Sequence, residues 1–182
     1  GELSRYLAFR LRARGLAGLG FDEAAVTLIS TPLYTNLSIP ALLATLWSGG
    51  LSLIMGRFDE QEFLDLAERR RATHFFLVPI QVQRLLDAPG FSRCDLKASR
   101  LVYVAGSMFH AALKRRLREA WPGTLVEVYG MTEGAPASAL FIRDCDGALD
   151  SVGQPFPGCL VRVIDEQGAE LPVGETGEVC VR

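Results

Sequence analysis

The sequence predicts an α/β protein with a mostly parallel sheet, helices on both faces of it, and then the start of an antiparallel β subdomain. Five short apolar runs alternate with segments of helical periodicity, and the runs are apolar at consecutive positions, as in strands buried on both faces. Beyond residue 147, glycines punctuate several short apolar runs, which is typical of antiparallel hairpins. We therefore predict an α/β subdomain over residues 1–147 and the beginning of a β subdomain over residues 148–182.

The first half of the chain supplies two helix–strand repeats. Leucines and a tyrosine on one stripe predict a helix over residues 2–14, and an apolar run predicts the first strand over residues 25–30. A loop over residues 31–36 leads to an apolar helix that starts near Pro40 and ends at Gly49-Gly50. The second strand covers residues 51–55. Asp59, followed three residues later by Glu62, resembles a capping box and predicts the next helix start.

The second half continues the alternation and then changes character. Strands are predicted over residues 73–78, 100–105 and 125–129, separated by one helix after Pro79 and another that Pro122-Gly123 terminates. Residues 137–142 and 160–164 predict further strands. The turn residues at 165–168 then predict a hairpin.

Composition excludes several classes of protein. The chain has 182 residues, 49% of them hydrophobic, and a formal net charge of -2, so nothing favours nucleic-acid or anionic-membrane binding. No apolar run has the length of a membrane span. The four cysteines form no C-x-x-C pair and the chain has only two histidines, which argues against a zinc site and for a reducing compartment. A cytoplasmic location is the expectation.

Polar and aromatic residues follow the predicted parallel strands, where ligands collect in such sheets. If the fourth and fifth strands are neighbours, Gly106–Met108 and Tyr129–Glu133 face each other. Tyr129 can stack on a purine, the Thr132 hydroxyl can donate to a phosphate, and the Glu133 carboxylate can hold Mg²⁺. A strand-ending Tyr-Gly is also typical of an ordinary turn, and a threonine of a helix cap, so these residues alone favour a nucleotide site only slightly.

Other common sites find no support in the sequence. Neither G-x-x-x-x-G-K-[ST] nor a strand-linked G-x-G-x-x-G is present, so the usual phosphate cradles are absent. There is no G-x-S-x-G, and neither histidine has an evident serine or cysteine partner. We interpret His74, which begins an apolar strand, as structural and His110 as a surface or capping residue.

Four ordered motifs resemble the adenylate-forming (AMP-binding) superfamily, in particular its acyl- and aryl-CoA synthetase branch. Residues 128–133 resemble the family's Y-G-x-T-E core, and residues 105–108 stand where the family has a Gly-Gly-Ala turn. Residues 151–158 resemble its S-V-G-x-P-x-P-G segment, and residues 171–178 its L-P-x-G-E-x-G-E turn. The strand over residues 73–78, ended by Pro79, also matches.

The resemblance implies a two-step reaction. A carboxylate attacks the α-phosphate of ATP to give an acyl-adenylate and pyrophosphate, and a thiol, usually CoA, then takes the acyl group. The implied substrates and cofactors are a small carboxylic acid, ATP, CoA and Mg²⁺. The alternative is a non-catalytic homologue that binds a nucleotide or acts as a scaffold.

The resemblance also assigns roles to residues. Thr132 and Glu133 are the implied catalytic residues, with Glu133 binding the metal. The implied nucleotide-binding residues are Gly106, Ser107, Met108, Tyr129, Gly130, Met131 and Thr132. The implied acyl pocket contains Tyr34, Thr35, Met108 and Met131.

The sequence departs from the family pattern near the implied acyl pocket. Many acyl-CoA synthetases carry an aromatic–histidine pair where this chain has Tyr34-Thr35, and Ser107-Met108 is bulkier than the usual turn. No acidic residue lies between Thr31 and Gly56, which argues against an amino-acid substrate, whose ammonium group needs an aspartate there.

The resemblance further implies that the chain is an internal segment of the family's N-terminal domain. The phosphate loop is then expected upstream, and the ribose-binding aspartate, hinge and catalytic lysine downstream. We therefore expect the isolated segment to be inactive in adenylation.

Overall fold

The computed structural model describes residues 19–131, 135–145 and 147–182, which form two sheets and four α-helices. The predicted helix over residues 2–14 lies outside the described residues. The helices are α1 (Ser38–Trp47), α2 (Glu60–Arg69), α3 (Pro79–Asp87) and α4 (Ala111–Ala120). The strands are β1 (Val26–Ile29), β2 (Leu51–Ile54), β3 (His74–Leu77), β4 (Leu101–Val104), β5 (Thr124–Met131), β6 (Ala135–Phe141), β7 (Gln154–Pro155), β8 (Val161–Ile164) and β9 (Glu178–Val181).

The main sheet is mostly parallel, as the sequence predicts. Its strand order is β2-β1-β3-β4-β5-β6-β7. The first five strands run parallel to their neighbours, whereas β6 and β7 are antiparallel. A separate antiparallel pair, β8 and β9, follows. The division into subdomains at residue 147 stays a prediction, because β7 lies beyond it in sequence and still pairs with β6.

Helices cover both faces of the sheet. On one face, side chains of α2, α3 and α4 pack with Leu28, Phe75, Val102 and Leu125 around the ring of Trp121. On the other face, α1 packs its Ala41 against Ile29 and Phe76. The alternation of strand residues between these two clusters explains why the strands are apolar at consecutive positions.

Strand β2 departs from the predicted burial. Leu51 and Ile54 are 46% and 50% exposed, although the apolar run predicts a strand buried on both faces. The reason is its place in the described sheet: β2 pairs only with β1 there and forms its edge. The apolar pattern of the sequence indicates a strand but does not indicate which strands it pairs with. The edge position of β2 could therefore not be predicted.

Local signals for helix starts are confirmed by the hydrogen bonds. Asp59 is the N-cap of α2, and its carboxylate oxygen accepts a hydrogen bond from the Glu62 backbone N–H at 2.9 Å. α1 begins at Ser38, two residues before Pro40, so proline lies within the first turn. Within the described residues, no helix is both long enough and apolar enough to cross a membrane.

Candidate functional site

The candidate site lies at the carboxyl edge of the parallel strands. β4 and β5 are neighbours, as the predicted site requires, and Val104 is paired with Glu127. Gly106 follows Val104 by two residues, and Tyr129 follows Glu127 by two residues. The turn after β4 and the end of β5 therefore meet at one edge of the sheet, where ligands of parallel α/β proteins bind.

The turn after β4 presents backbone and a flexible side chain to solvent. Gly106 has a φ of +99°, and a Cβ at this position would lie 3.3 Å from Val78 Cγ1, so glycine is the residue that fits without strain. Ser107 is exposed and the Met108 side chain is 76% exposed. The next residue, Phe109, is buried in the core and anchors the turn.

Strand β5 ends in the open part of the site. Tyr129 is half-buried, and Gly130 and Met131 are exposed. The pairing of β5 with β6 shifts register between Tyr129 and Gly130, so the regular ladder is interrupted beside the tyrosine. An aromatic side chain is thus placed next to irregular backbone, opposite the glycine turn.

Two of the predicted residues lie outside the described residues. These are Thr132 and Glu133, the implied phosphate and metal residues, so their roles stay predictions. In the part of the chain that the structure describes, no group of three or more His, Cys, Asp or Glu side chains could hold a metal ion.

The implied acyl-pocket residues after β1 are farther from this site. Strand β3 separates β1 from β4, so the end of β1, from which the loop with Tyr34 and Thr35 leads, lies about 10 Å from the β4 end at the usual strand spacing. Tyr34 is 85% exposed. The Thr35 hydroxyl donates to the Pro32 carbonyl at 2.9 Å and accepts from the Ser38 N–H at 3.2 Å, so it stabilises the start of α1.

The segment 151–158 lies beside β6. Ser138 on β6 donates its hydroxyl hydrogen to the Val152 carbonyl at 2.9 Å, and Ala139 pairs with Gln154. Gly153 has a φ of +82°, and a Cβ there would lie 1.9 Å from the Ala139 carbonyl oxygen. Gly153, the first glycine of the S-V-G-x-P-x-P-G motif, is therefore required because the backbone at this point lies close against Ala139 of β6.

A buried ion pair adjoins the site and was not predicted from the sequence. Lys114 Nζ on α4 lies 2.5 Å from Glu127 Oε2 on β5, and the two side chains are 2% and 7% exposed. Burial raises the pKa of the Glu127 carboxyl, and the Lys114 cation opposes the rise. The sequence contained a signal for this pair. Glu127 interrupts an apolar strand, and Lys114 lies on the same helical stripe as Leu117 and Trp121. Both charges were therefore in positions expected to be buried, where each needs a partner of opposite charge.

The histidines fit their predicted structural roles. His74 is fully buried, with one ring nitrogen 2.7 Å from the Thr73 hydroxyl and the other 3.0 Å from the Leu19 carbonyl. Burial lowers the pKa of its imidazole, so the neutral form is favoured there. His110 is exposed at the N-cap of α4 and its side chain makes no capping hydrogen bond.

Two cavities lie at the opposite, amino edge of the sheet. One, of about 430 Å³, is lined by Arg100, Thr124 and Arg143 among others. The other, of about 580 Å³, is lined by residues that include Arg70, Arg71 and Lys97. Neither contains a predicted site residue, so the candidate site is an open edge rather than one of these hollows.

Comparison with known families decides the relationship of the chain. The profile of the family described as AMP-binding enzyme matches residues 5–182, nearly the whole chain. This chain belongs to the AMP-binding enzyme family. The resemblance of the four motifs is thereby confirmed.

Curated relatives of the chain include synthases and ligases. Pyochelin synthase PchD of Pseudomonas aeruginosa strain UCBPP-PA14 is 34% identical over 166 residues, which are 90% of this chain and 30% of PchD. Indoleacetate–CoA ligase of Aromatoleum aromaticum is 30% identical over 150 residues, 81% of this chain and 28% of the ligase. The chain thus spans less than a third of the length of these relatives.

Solved structures confirm the fold. The amide bond synthetase McbA of Marinactinospora thermotolerans matches with a TM-score of 0.80 and 31% identity, over 100% of this chain and 36% of McbA. ATP-bound MatB of Rhodopseudomonas palustris matches with a TM-score of 0.80 and 27% identity, over 99% of this chain and 34% of MatB. The sheet and helices described above are therefore those of adenylate-forming enzymes.

Proposed function

We propose that the full-length protein containing this chain activates a carboxylic acid with ATP and passes the acyl group to CoA. In the first step a carboxylate oxygen bonds to the α-phosphorus and pyrophosphate leaves. In the second step the thiol sulfur bonds to the acyl carbon and AMP leaves. The observation that carries the proposal is the parallel pairing of β4 with β5, whose carboxyl ends lead to the Gly106 turn and to Tyr129 at one edge of the sheet, in a chain of the AMP-binding family.

The described residues suit the base of a nucleotide. Tyr129 is half-buried, so its side chain has less freedom to lose than a fully exposed one when a base stacks on its ring. The backbone of Gly106–Met108 is open to solvent and can approach the base closely, because Gly106 has no Cβ. In this proposal Thr132 donates to phosphate, and Glu133 binds the Mg²⁺ that would neutralise phosphate charge.

The acid is proposed to bind beyond the base, toward the loop after β1. Gly130 and Met131 would line its near end, Met108 would narrow the pocket, and the loop with Tyr34 and Thr35 would form its far wall. A flexible methionine at 76% exposure can repack around different acyl groups. The lack of any acidic residue from Thr31 to Gly56 supports an acid without an ammonium group.

Pyrophosphate exchange on the full-length protein tests the first step. With a panel of fatty, aryl and small carboxylic acids, labelled pyrophosphate is expected to enter ATP only when a preferred acid is present. Exchange that is independent of every acid, or no exchange although ATP binds, would contradict the proposal. The second result would favour the non-catalytic alternative.

The acceptor is tested separately, since relatives of this chain include an enzyme named as a CoA ligase and one named as an amide bond synthetase. With the preferred acid, adding CoA is expected to yield the acyl-CoA thioester in proportion to AMP. Acid-dependent exchange without thioester formation would keep the adenylation step and reject CoA as the acceptor.

A further inference from the structure

The ammonium group of Lys114 contacts three separate segments of the chain. It lies 2.5 Å from Glu127 Oε2 on β5 and donates a hydrogen bond to the Ser151 carbonyl at 2.9 Å. It also lies 5.9 Å from the centre of the Phe109 ring, within the range of a cation–π contact. A single buried cation therefore links α4, β5, the turn after β4 and the segment that follows residue 150.

Each of these contacts adjoins a part of the candidate site. Phe109 follows Met108 directly, so its ring holds the turn that starts at Gly106. Glu127 precedes Tyr129 by two residues, so the two side chains leave β5 on the same face. Ser151 is the first residue of the motif segment that packs on β6. Residues that lie in or directly beside three of the sequence motifs thus surround one nitrogen atom.

Stability alone does not account for a buried pair of this kind. Removing two charges from water is costly, and well-packed apolar residues of similar volume are often at least as stabilising. What such a pair can supply is position, because two buried opposite charges favour the one placement of α4 against β5 that keeps them together. Burial of both side chains makes the alternative, a solvated and adjustable pair, impossible here.

We propose that Lys114, through Glu127, Ser151 and Phe109, is a positioning residue that holds the glycine turn and the Tyr129 strand at the separation the adenine base requires. This rests on the proposed function of the site. Lys114 itself touches no substrate in this proposal and acts only through the segments it joins.

Kinetics of the full-length protein in the exchange reaction test the proposal. The main variant is Lys114→Met with Glu127→Leu, which removes both charges and leaves neither uncompensated. We expect KM for ATP to rise roughly tenfold while kcat falls less, because the base is misplaced but the reacting groups are retained. Arg115→Met is the matched control: it removes an exposed cation from the same helix and is expected to leave both constants unchanged.

The split between KM and kcat separates positioning from folding. A purely structural role would reduce the folded fraction, lowering the apparent kcat at an unchanged KM for ATP, and that result would overturn the proposal. Should the double variant fail to fold, Lys114→Arg and Glu127→Gln replace it. Lys114→Arg keeps the positive charge and is expected to raise KM for ATP only slightly. Glu127→Gln removes the negative charge and is expected to raise KM for ATP more. Wild-type KM values in both variants would overturn the proposal.

Failure of the proposed function gives a different result. If the wild-type protein shows no exchange but binds ATP, the same variants are compared by their Kd for ATP, with the same tenfold change expected. If the wild-type protein neither exchanges nor binds ATP, the proposed function fails and this proposal falls with it. If the wild-type protein is active and the variants have its KM for ATP, the positioning role is rejected and the proposed function stands.

Discussion

At the scale of single residues, burial sets the chemistry of Cys94. Its thiol lies 3.5 Å from the Leu64 carbonyl, and the carboxylates of Glu68 and Asp95 act on it electrostatically. Burial first, and these charges second, raise the pKa of the Cys94 thiol from 9.0 to about 11. The thiolate, which is the reactive form, is therefore scarce at neutral pH.

Slow alkylation of Cys94 follows from this pKa. At pH 8 the thiolate fraction falls roughly 100-fold, and the greater nucleophilicity of a more basic thiolate recovers about tenfold, so about a tenfold slowing remains. Iodoacetamide labelling followed by mass spectrometry, with the urea-unfolded chain as reference, measures it. Equal labelling of Cys94 in the folded and unfolded chain would contradict the assigned burial.

The residues of the candidate site differ in how well the sequence predicts them. Gly106 and Tyr129 are predictable because their chemistry is local: a glycine ends one strand and an aromatic ring ends the next. Lys114 was missed because a lysine on a helix is usually solvated, although its place on the apolar stripe of Leu117 and Trp121 was a sequence signal of its burial. A charge in a buried strand, such as Glu127, is the sequence signal that calls for a partner.

At the scale of elements, Gly153 determines how β7 reaches the sheet. Its φ of +82° favours glycine, and the position also lacks room for a side chain. Gly168, in the predicted turn at 165–168, has nearly the same φ, +81°, but a Cβ there would meet nothing within 4 Å. Replacing either glycine therefore costs a similar free energy for the left-handed backbone. Only at Gly153 does the new side chain also clash with a neighbour.

The pair Gly153→Ala and Gly168→Ala isolates the close approach to β6. Gly168→Ala should cost about 1 kcal/mol for the left-handed backbone, and Gly153→Ala about 1–3 kcal/mol more, because the Ala139 carbonyl must move. Thermal unfolding of the full-length variants should therefore give a clearly lower Tm for Gly153→Ala. Matching Tm values would mean that Gly153 does not lie against the Ala139 carbonyl as described.

The Asp59 helix cap and the existence of the longer strands were predictable, whereas exact bounds and strand order were not: the strand predicted over residues 125–129 spans Thr124–Met131. Asp59 caps α2 through a contact three residues away, so the signal lies within the sequence window that patterns can read. The place of β2 at the edge, and of β6 and β7 on the main sheet, depends on pairings between distant segments. Hydrophobic pattern alone does not distinguish these pairings.

At the scale of the whole molecule, the parallel sheet brings distant motifs together. β4 and β5 are neighbours, and their carboxyl ends carry the glycine turn and Tyr129, while β6 and β7 bring the segment after residue 150 to the adjacent edge. The chain spans about a third of the length of its relatives, so the nucleotide is expected to contact other parts of the full-length protein as well.

The most direct measurement of the central claim is KM for ATP in acid-dependent pyrophosphate exchange, compared between the full-length wild type, Tyr129→Phe and Tyr129→Ala. Stacking of a base on an aromatic ring contributes about 1–3 kcal/mol, so Tyr129→Ala should raise KM roughly 5- to 150-fold. Tyr129→Phe keeps the ring and should stay close to wild type. A wild-type KM for ATP in an active Tyr129→Ala variant would contradict the claim that β5 ends at the nucleotide base.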